Sequence, residues 1–480
     1  MSAHPHPSDV GIAQAAAKGE GSAHPRLVLI TCILASSLAF VDGTVVNVGL
    51  PAIGKSLGGQ SLGGDAAGLQ WVINAYLLPL SALLLLGGAL GDRFGRRRLL
   101  NFGVILFGLG SAGCAAAPGL AGLLAARAVQ GVGAALLLPN SLAILGGTFE
   151  GEAKGRAVGA WAAASAITGA IGPVLGGWLI DAVGWRSIFL INLPLALAAV
   201  GLALAVVRDP AAETDPPPPD WLGAGLATVA LGGLVMGLTE GTGPAGWTTP
   251  AFAGVGIGLA FAAGFLWNEI RLGDRAMTPP ALFGSATLMG LNLLTFLLYG
   301  ALGGLLVLIP FVLIETAHYR ATAAGAALLP FPVLMAIGAP LSGQLAGRLG
   351  SRYLLAGGSA VVALAFLLAL RIDGAGGYWT EVLPCLVVFA IGMAGVAAPL
   401  TTAVLSAVDA RHTGAASGLN SAVARTGGLV AVALLGWVLA QHGRALIAPF
   451  HVAMLAGAVA AAGSALIAGL MIKSPRGRTN

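Results

Sequence analysis

"GALGDRFGRRRLL", Gly88 to Leu100, and "GQLAGRLGSRYLL", Gly343 to Leu355, agree at seven of thirteen positions, at a constant offset of 255. Each copy follows a long apolar run and crowds glycine and arginine into a link too short to form a domain. A motif that returns once in the same setting marks a duplicated unit. The fold depends on what has been duplicated.

Composition narrows the answer. Of 480 residues, 57% are hydrophobic and only 9% charged, and mean hydropathy is +0.89. A soluble domain carries about 25% charged residues, so most of this chain avoids water. A net charge of +5 is small for such a length and gives no support for a nucleic-acid partner. Cys32, Cys114 and Cys385 all fall in apolar runs and share no short spacing with each other or with histidine. Neither a metal site, a disulfide nor a cofactor is indicated.

Apolar stretches about twenty residues long, the length needed to span a bilayer as a helix, recur along the chain. They are 27–49, 69–90, 98–117, 119–143, 156–180, 186–207, 221–240, 250–270, 286–312, 323–346, 353–371, 380–405, 413–440 and 446–472, fourteen in all. Backbone groups in lipid must be satisfied within their own segment, which selects helices. An N-terminus in the cytoplasm places seventeen of the 24 Lys and Arg residues on that side, as the positive-inside rule requires, and puts both termini there.

Six spans with their loops fill about 180 residues at the start of the chain, and the surplus in the 255-residue offset matches the helix pair at 221–270. The expected plan is therefore an all-α membrane protein built from two six-helix bundles. It comprises a disordered tail (1–25), a first bundle (26–207), a linker with two inserted helices (208–280), a second bundle (281–472) and a short tail (473–480). Duplicated bundles around a central path are common in secondary transporters.

"FVDGTVVNVGLPAIGKS", Phe40 to Ser56, makes two chemical offers. Gly49 to Ser56 matches G-x-x-x-x-G-K-[ST], a phosphate-binding pattern. That chemistry requires a loop between a strand and a helix, whereas here the pattern follows an apolar helix on the outer side. No nucleotide partner is expected. The other offer is Asp42, an acid inside a membrane span, where carboxylates are costly and usually mark ion or proton paths. Arg127, in the fourth span, lies at a similar depth and could pair with it. Gln130 follows on the same face of that span.

Further candidates follow. In the Gly88–Leu100 loop, Gly95 permits a tight turn and Asp92, Arg93, Arg96 and Arg97 could latch helix ends together. The fifth span, "ITGAIGPVLGGWL", carries Gly169, Gly172, Gly176 and Gly177 with Pro173 among them. Small residues at this spacing let helices approach closely, and proline bends the axis, so the segment is either a packing seam or a hinge. Arg425, in the thirteenth span, is either substrate-facing or a tie between helices. By polarity and position, Trp71, Asn74, Tyr76, Gln130, Asn140, Trp161, Asn292, Tyr299, Asn420 and Arg425 are expected to line the cavity. The inserted pair is expected to flank the bundles.

Together these segments resemble the major facilitator superfamily, in its fourteen-helix drug:proton antiporter branch. "FVDGTVVNVGLP" is similar to that branch's first-helix motif, "GGALGDRFGRRRLL" to the superfamily's signature loop, "RAVQGVGAALLLPNS" to the fourth-helix motif and "ITGAIGPVLGGWL" to the antiporter motif of exporters. "GLNSAVARTGG" resembles a later feature of the branch. Gly347 stands where the second signature loop usually has an acid. The resemblance implies alternating access between two bundles, with a small organic substrate exported from the cytoplasmic membrane against protons taken up by Asp42. An exporter of a single endogenous metabolite or self-made antibiotic remains the alternative. A membrane enzyme or receptor would need a catalytic constellation or a sizeable soluble domain, and the chain has neither.

Overall fold

The computed structural model describes residues 24–57, 65–207, 219–373, 377–409 and 413–472. Nearly all of the two expected tails, and the linker segment 208–218, lie outside these residues.

The first bundle contains α1 (Pro25–Leu57), α2 (Asp65–Phe94), α3 (Arg96–Ala116), α4 (Leu120–Thr148), α5 (Gly151–Ala182), and a short α6 (Ser187–Leu190) leading into α7 (Asn192–Val206). Two further helices follow, α8 (Trp221–Gly241) and α9 (Thr249–Leu272). The second bundle comprises α10 (Ala286–Glu315), α11 (Ala321–Ala327) with α12 (Pro330–Leu349), α13 (Ser351–Ala369), α14 (Leu383–Ser406), α15 (Thr413–Ala433) with α16 (Gly436–Leu439), and α17 (Ile447–Met471).

Among the described residues, thirteen helical segments are long and apolar enough to cross a membrane. The fourteenth expected span, α15, falls short because Ser417, Asn420, Ser421, Arg425 and Thr426 dilute its apolar residues. It still packs along the bundle like the others. Three expected spans are also interrupted. α11 gives way to α12 at Pro330, whose missing N–H favours a fresh helix start. α1, by contrast, continues as one helix to Leu57. The phosphate-loop pattern at Gly49–Ser56 is therefore helical, with no free row of N–H groups to hold a phosphate.

The duplication seen in the signature loops governs the packing. In the first bundle α1 packs on α5 and α7, α2 on α4, and α3 on α4 and α7. In the second, α10 packs on α15 and α17, α12 on α14, and α13 on α14 and α17. The bundles meet along α5 with α11 and α12, along α2 with α15, and along α1 with α10. α8 and α9 pack on each other, and α8 lies against both α2 and α15, so the inserted pair straddles one seam.

Apolar contact between the bundles is one-sided. One cluster joins the second bundle to Val41–Leu57 of α1 and to Leu69, Val72 and Ile73 of α2, in the half of the bilayer away from the chain termini. A separate cluster, from Val28, Leu38, Leu100, Val104 and Leu145, belongs to the first bundle alone. It occupies the half nearest the termini. The bundles are thus sealed together at the face opposite the termini and parted at the termini face.

Candidate functional site

Asp42 and Arg127 meet inside the first bundle. The Asp42 side chain is fully buried and Arg127 is 1% exposed, and Arg127 Nη1 donates to Asp42 Oδ2. Arg127 also donates from Nη1 to Gln130 Oε1 (3.0 Å) and from Nε to the Val72 carbonyl (3.0 Å). Gln130 Nε2 in turn donates to Asp42 Oδ1 (3.2 Å) and to Ser111 Oγ (2.7 Å). Beneath the guanidinium lies the Tyr76 ring, 4.4 Å from its centroid, a contact worth about 2 kcal/mol when desolvated. Helix geometry explains the convergence: Arg127 and Gln130 lie one turn apart on α4, so both reach the same carboxylate on α1. Ser111, on α3, completes the arrangement and also receives a bond from Asn192 Nδ2 (3.2 Å). No residue of this network faces lipid, and leaving one of two buried partners unpaired would cost about 3–5 kcal/mol.

A separate cavity of about 780 Å³ opens between the bundles and reaches the termini face, where Arg96, Lys154 and Thr413 border it. That size suits a drug-sized ligand. Its wall includes Phe40, Leu138 and Trp161 from the first bundle and Ser417, Ser421 and Arg425 from the second. Phe40 and Trp161 meet edge to face with centroids 6.0 Å apart. The Trp161 indole N–H donates to Ser36 Oγ at 3.0 Å, which fixes the ring.

Of the ten residues expected to line the cavity, Trp161 and Arg425 do so. The other eight are not among the residues that border it. Tyr76 and Gln130 belong to the Asp42–Arg127 network, and Asn140 Nδ2 ties α4 to the Gly87 carbonyl on α2 at 2.9 Å. Asn420 Nδ2 donates to Asn292 Oδ1 (3.0 Å) and Thr295 Oγ1 (2.8 Å), joining α15 to α10. Trp71 packs between α2, α8 and α15, and Tyr299 against the apolar core of the second bundle. Asn74 is buried on α2, and neither polar atom of its amide finds a partner among the described residues. Asp42 likewise lies outside the cavity wall.

The signature loop turns at Gly95, whose φ of +99° suits glycine. Arg96 pairs with Asp92 (2.8 Å) and donates to the Ala143 carbonyl at the end of α4 (2.9 Å). Arg97 Nη1 donates to the Val207 carbonyl just after α7 (3.1 Å), and Arg93 lies over the Phe94 ring at 6.0 Å. Each of these contacts stays within the first bundle. In the second bundle Gly350 repeats the turn with φ +85°, and Arg352 reaches the Gly469 carbonyl on α17 as Arg97 reaches Val207.

The glycines of α5 divide their work. A Cβ on Gly172 would meet Thr44 Oγ1 at 2.2 Å, and one on Gly176 would meet Val45 Cγ2 at 2.0 Å, so these two seat α5 on α1. A Cβ on Gly177 would lie 2.3 Å from the Ala321 carbonyl oxygen, across the seam to the second bundle. Pro173 offers its own carbonyl to that seam, so close to Gly325 that no side chain fits there. Gly169 has open space and borders a smaller cavity of about 220 Å³ between the bundles.

Two closures of the seam were not anticipated from the sequence. Asp181, at the end of α5, accepts from the backbone N–H groups of Ala321 (3.3 Å) and Thr322 (2.9 Å) and from the Thr322 hydroxyl (2.6 Å). Gln70, at the start of α2, donates to the carbonyls of Val432 (2.9 Å) and Ala433 (2.8 Å) at the break between α15 and α16, where Val432 O also accepts from the Leu435 N–H. Thr242 of the loop after α8 also donates to Ala433 O, at 2.9 Å. The inserted pair is therefore bonded to the seam as well as packed on it. Lys55 and Glu315 add an ion pair at 3.4 Å on the same face. The only early sign of these closures was a polar side chain at the end of an apolar run.

Duplicated helix bundles with a cavity between them are common in secondary transporters. The family model of the Major Facilitator Superfamily matches residues 32–291 and 291–480. The chain belongs to the major facilitator superfamily. It is accordingly a multi-pass membrane transporter of small molecules and not an enzyme. It is 35% identical over 430 residues to Multidrug resistance protein Stp of Mycobacterium tuberculosis (strain CDC 1551 / Oshkosh), covering 88% of this chain and 77% of the relative. It is also 32% identical over 448 residues to the Tetracenomycin C resistance and export protein of Streptomyces glaucescens, covering 92% and 81%. Among solved structures, the POT family transporter PepTSo superposes with a TM-score of 0.68 at 16% identity, covering 93% of this chain and 97% of that one. At that identity the likeness concerns the fold.

Proposed function

We propose that this transporter is a proton-coupled antiporter that exports lipophilic drugs or antibiotics across the cytoplasmic membrane by alternating access, with both termini in the cytoplasm. The observation that carries this reading is the separation of two sites in one conformation. The cavity reaches the termini face, while Asp42 is sealed from it beside Arg127, beneath the closed seam. The structure then corresponds to the inward-facing state, ready for substrate and with the carboxylate paired.

In the proposed cycle substrate enters from the cytoplasm or the inner leaflet. The bundles rock, and the seam held by Asp181, Gln70 and Gly177 opens to the outside. Water reaches Asp42, a proton neutralises it, and Arg127 falls back on Val72 O, Gln130 and the Tyr76 ring. Substrate leaves, and on the return the proton passes from Asp42 to water of the cytoplasmic cavity before the pair re-forms and closes. One charge crossing the membrane potential contributes about 2.3 kcal/mol per 100 mV. The names of the two relatives support a drug or antibiotic as cargo, and that of the second keeps open a dedicated exporter of one self-made compound.

The test is uptake into inside-out vesicles containing the protein, with an acidic interior, using ethidium and anthracene-9-carboxylate as probes. Uptake of at least one of them, abolished by a protonophore, is expected. Uptake of both that persists without a proton gradient, or that requires ATP, contradicts the reading.

A further inference from the structure

α15 presents two different faces. Asn420 and Gly427 face α10, where Asn420 bonds Asn292 and Thr295 and Gly427 meets the Phe296 carbonyl. Gly414, Ser417, Gly418, Ser421 and Arg425 follow one another at helical spacing and border the large cavity. The small residues leave room, and the groove they make ends at the Arg425 guanidinium.

Arg425 makes no hydrogen bond or ion pair with any described residue. A guanidinium held within the membrane without a partner is costly unless something in the cavity satisfies it. Among the described residues, no Asp or Glu lines that cavity. Its other cations are Arg96, already paired with Asp92 (2.8 Å), and Lys154, exposed at the mouth. The carboxylate nearest in chemistry, Asp42, is fully buried and committed to Arg127. The cavity therefore carries an uncompensated positive charge at its inner end and an aromatic wall, Phe40 with Trp161, along its side.

We infer that the substrate is a lipophilic organic acid, an aromatic or polycyclic body with one carboxylate, phenolate or sulfonate, and that Arg425 binds its anionic group. This deepens the export reading by naming the class of cargo. A guanidinium suits the role because its planar fork pairs with oxyanions in two parallel hydrogen bonds. Lys154 would draw the same acids toward the mouth. Lipophilic cations would find aromatic surface but no counter-charge.

The test uses three probes sharing one ring system: anthracene-9-carboxylate, anthracene-9-carboxamide and anthracen-9-ylmethylammonium. Binding to the purified full-length protein in neutral detergent is measured by equilibrium dialysis against protein-free micelles. The carboxylate should bind about tenfold tighter than the carboxamide, the difference between a charged and a neutral hydrogen-bonded contact. Arg425→Gln should remove that preference while leaving carboxamide affinity within about twofold. Arg425→Lys should retain part of the preference, because charge survives without the fork. Ser421→Asp, one turn away on the same face, should also abolish the preference with Arg425 in place, which covers the case of an Arg425→Gln variant that does not fold.

Equal binding of carboxylate and carboxamide by the wild type would overturn the inference, as would tightest binding of the ammonium probe or a preference that survives both Arg425→Gln and Ser421→Asp. Loss of proton-driven uptake with the carboxylate preference intact would remove the export mechanism and leave this assignment standing. Proton-driven uptake confined to ethidium would do the reverse.

Discussion

The two bundles share a packing plan and differ in what they place inside it. In the first, α1, α3 and α4 converge on a carboxylate, a guanidinium and an amide that satisfy one another. In the second, α10 and α15 meet through Asn292, Thr295 and Asn420 without charge, and Arg425 faces the cavity. Duplication thus supplied a symmetric scaffold, and side chains assigned different tasks to its halves: a closed charge pair in one, an open anchor in the other. The signature loops repeat the lesson on a small scale. Both turn at a positive-φ glycine, and both send an arginine to a carbonyl at the end of the bundle, Arg97 to Val207 and Arg352 to Gly469. Only the first has an acid, Asp92, paired with a second arginine.

The sharpest break between the halves should come from deleting a member of each polar centre. Asp42→Ala strands a buried guanidinium and should destabilise the first bundle by about 3–5 kcal/mol. Asn420→Ala removes two neutral hydrogen bonds and should cost about 1–2 kcal/mol. Thermal unfolding in detergent measures both, and equal losses would mean that the charge pair is not a special element of the first bundle.

The seam offers the next comparison. Gly177→Val sets a branched side chain against Ala321 O, where even a Cβ would lie at 2.3 Å. Overpacking of this kind costs about 1–3 kcal/mol, and it should force the seam open. Spin-label distances across the face opposite the termini should lengthen, whereas Gly428→Ala, with nothing within 4 Å of the new methyl, should leave them unchanged.

Smaller effects distinguish the two polar closures. Gln70 is fully buried and supplies donors to a broken helix end, so Gln70→Ala should favour the open seam by about 1–2 kcal/mol. Asp181 is exposed and supplies acceptors to a helix start. Asp181→Ala should shift the same equilibrium by less than about 1 kcal/mol, and high salt should reduce the effect further. The same spin-label pairs report both, and an Asp181 effect exceeding that of Gln70 would reverse the ranking.

The scaffold was legible in the sequence because lipid leaves few options: a run of about twenty apolar residues becomes a helix, and a repeated loop exposes the duplication. Asp42 and Arg127 were legible for the same reason, since charge inside such a run stands out. The cavity wall was not. Asn420 and Arg425 lie five positions apart on α15, yet one ties two helices together and the other faces open space. Polarity says that a side chain needs a partner, and only the neighbouring helix decides whether that partner is protein. Asn140, Asn292 and Gln130 carry the same cue, and each bonds to protein. Gln70 and Asp181 escaped notice because an amide or acid at a helix end is ordinary at a membrane surface. Their partners, the backbone groups at the breaks near Ala433 and Ala321, arise from helix interruptions that apolar runs do not announce.

The most direct test of the central claim compares wild type with Asp42→Asn in inside-out vesicles, measuring anthracene-9-carboxylate uptake under an imposed pH gradient. Asparagine keeps the shape and can accept from Arg127 but cannot carry the proton. Gradient-driven accumulation, about tenfold per unit of imposed pH difference for one proton exchanged, should fall to the level without a gradient, while equilibrium binding of the probe persists. Gradient-driven uptake equal to that of the wild type would contradict the claim that the Asp42–Arg127 pair couples proton entry to export.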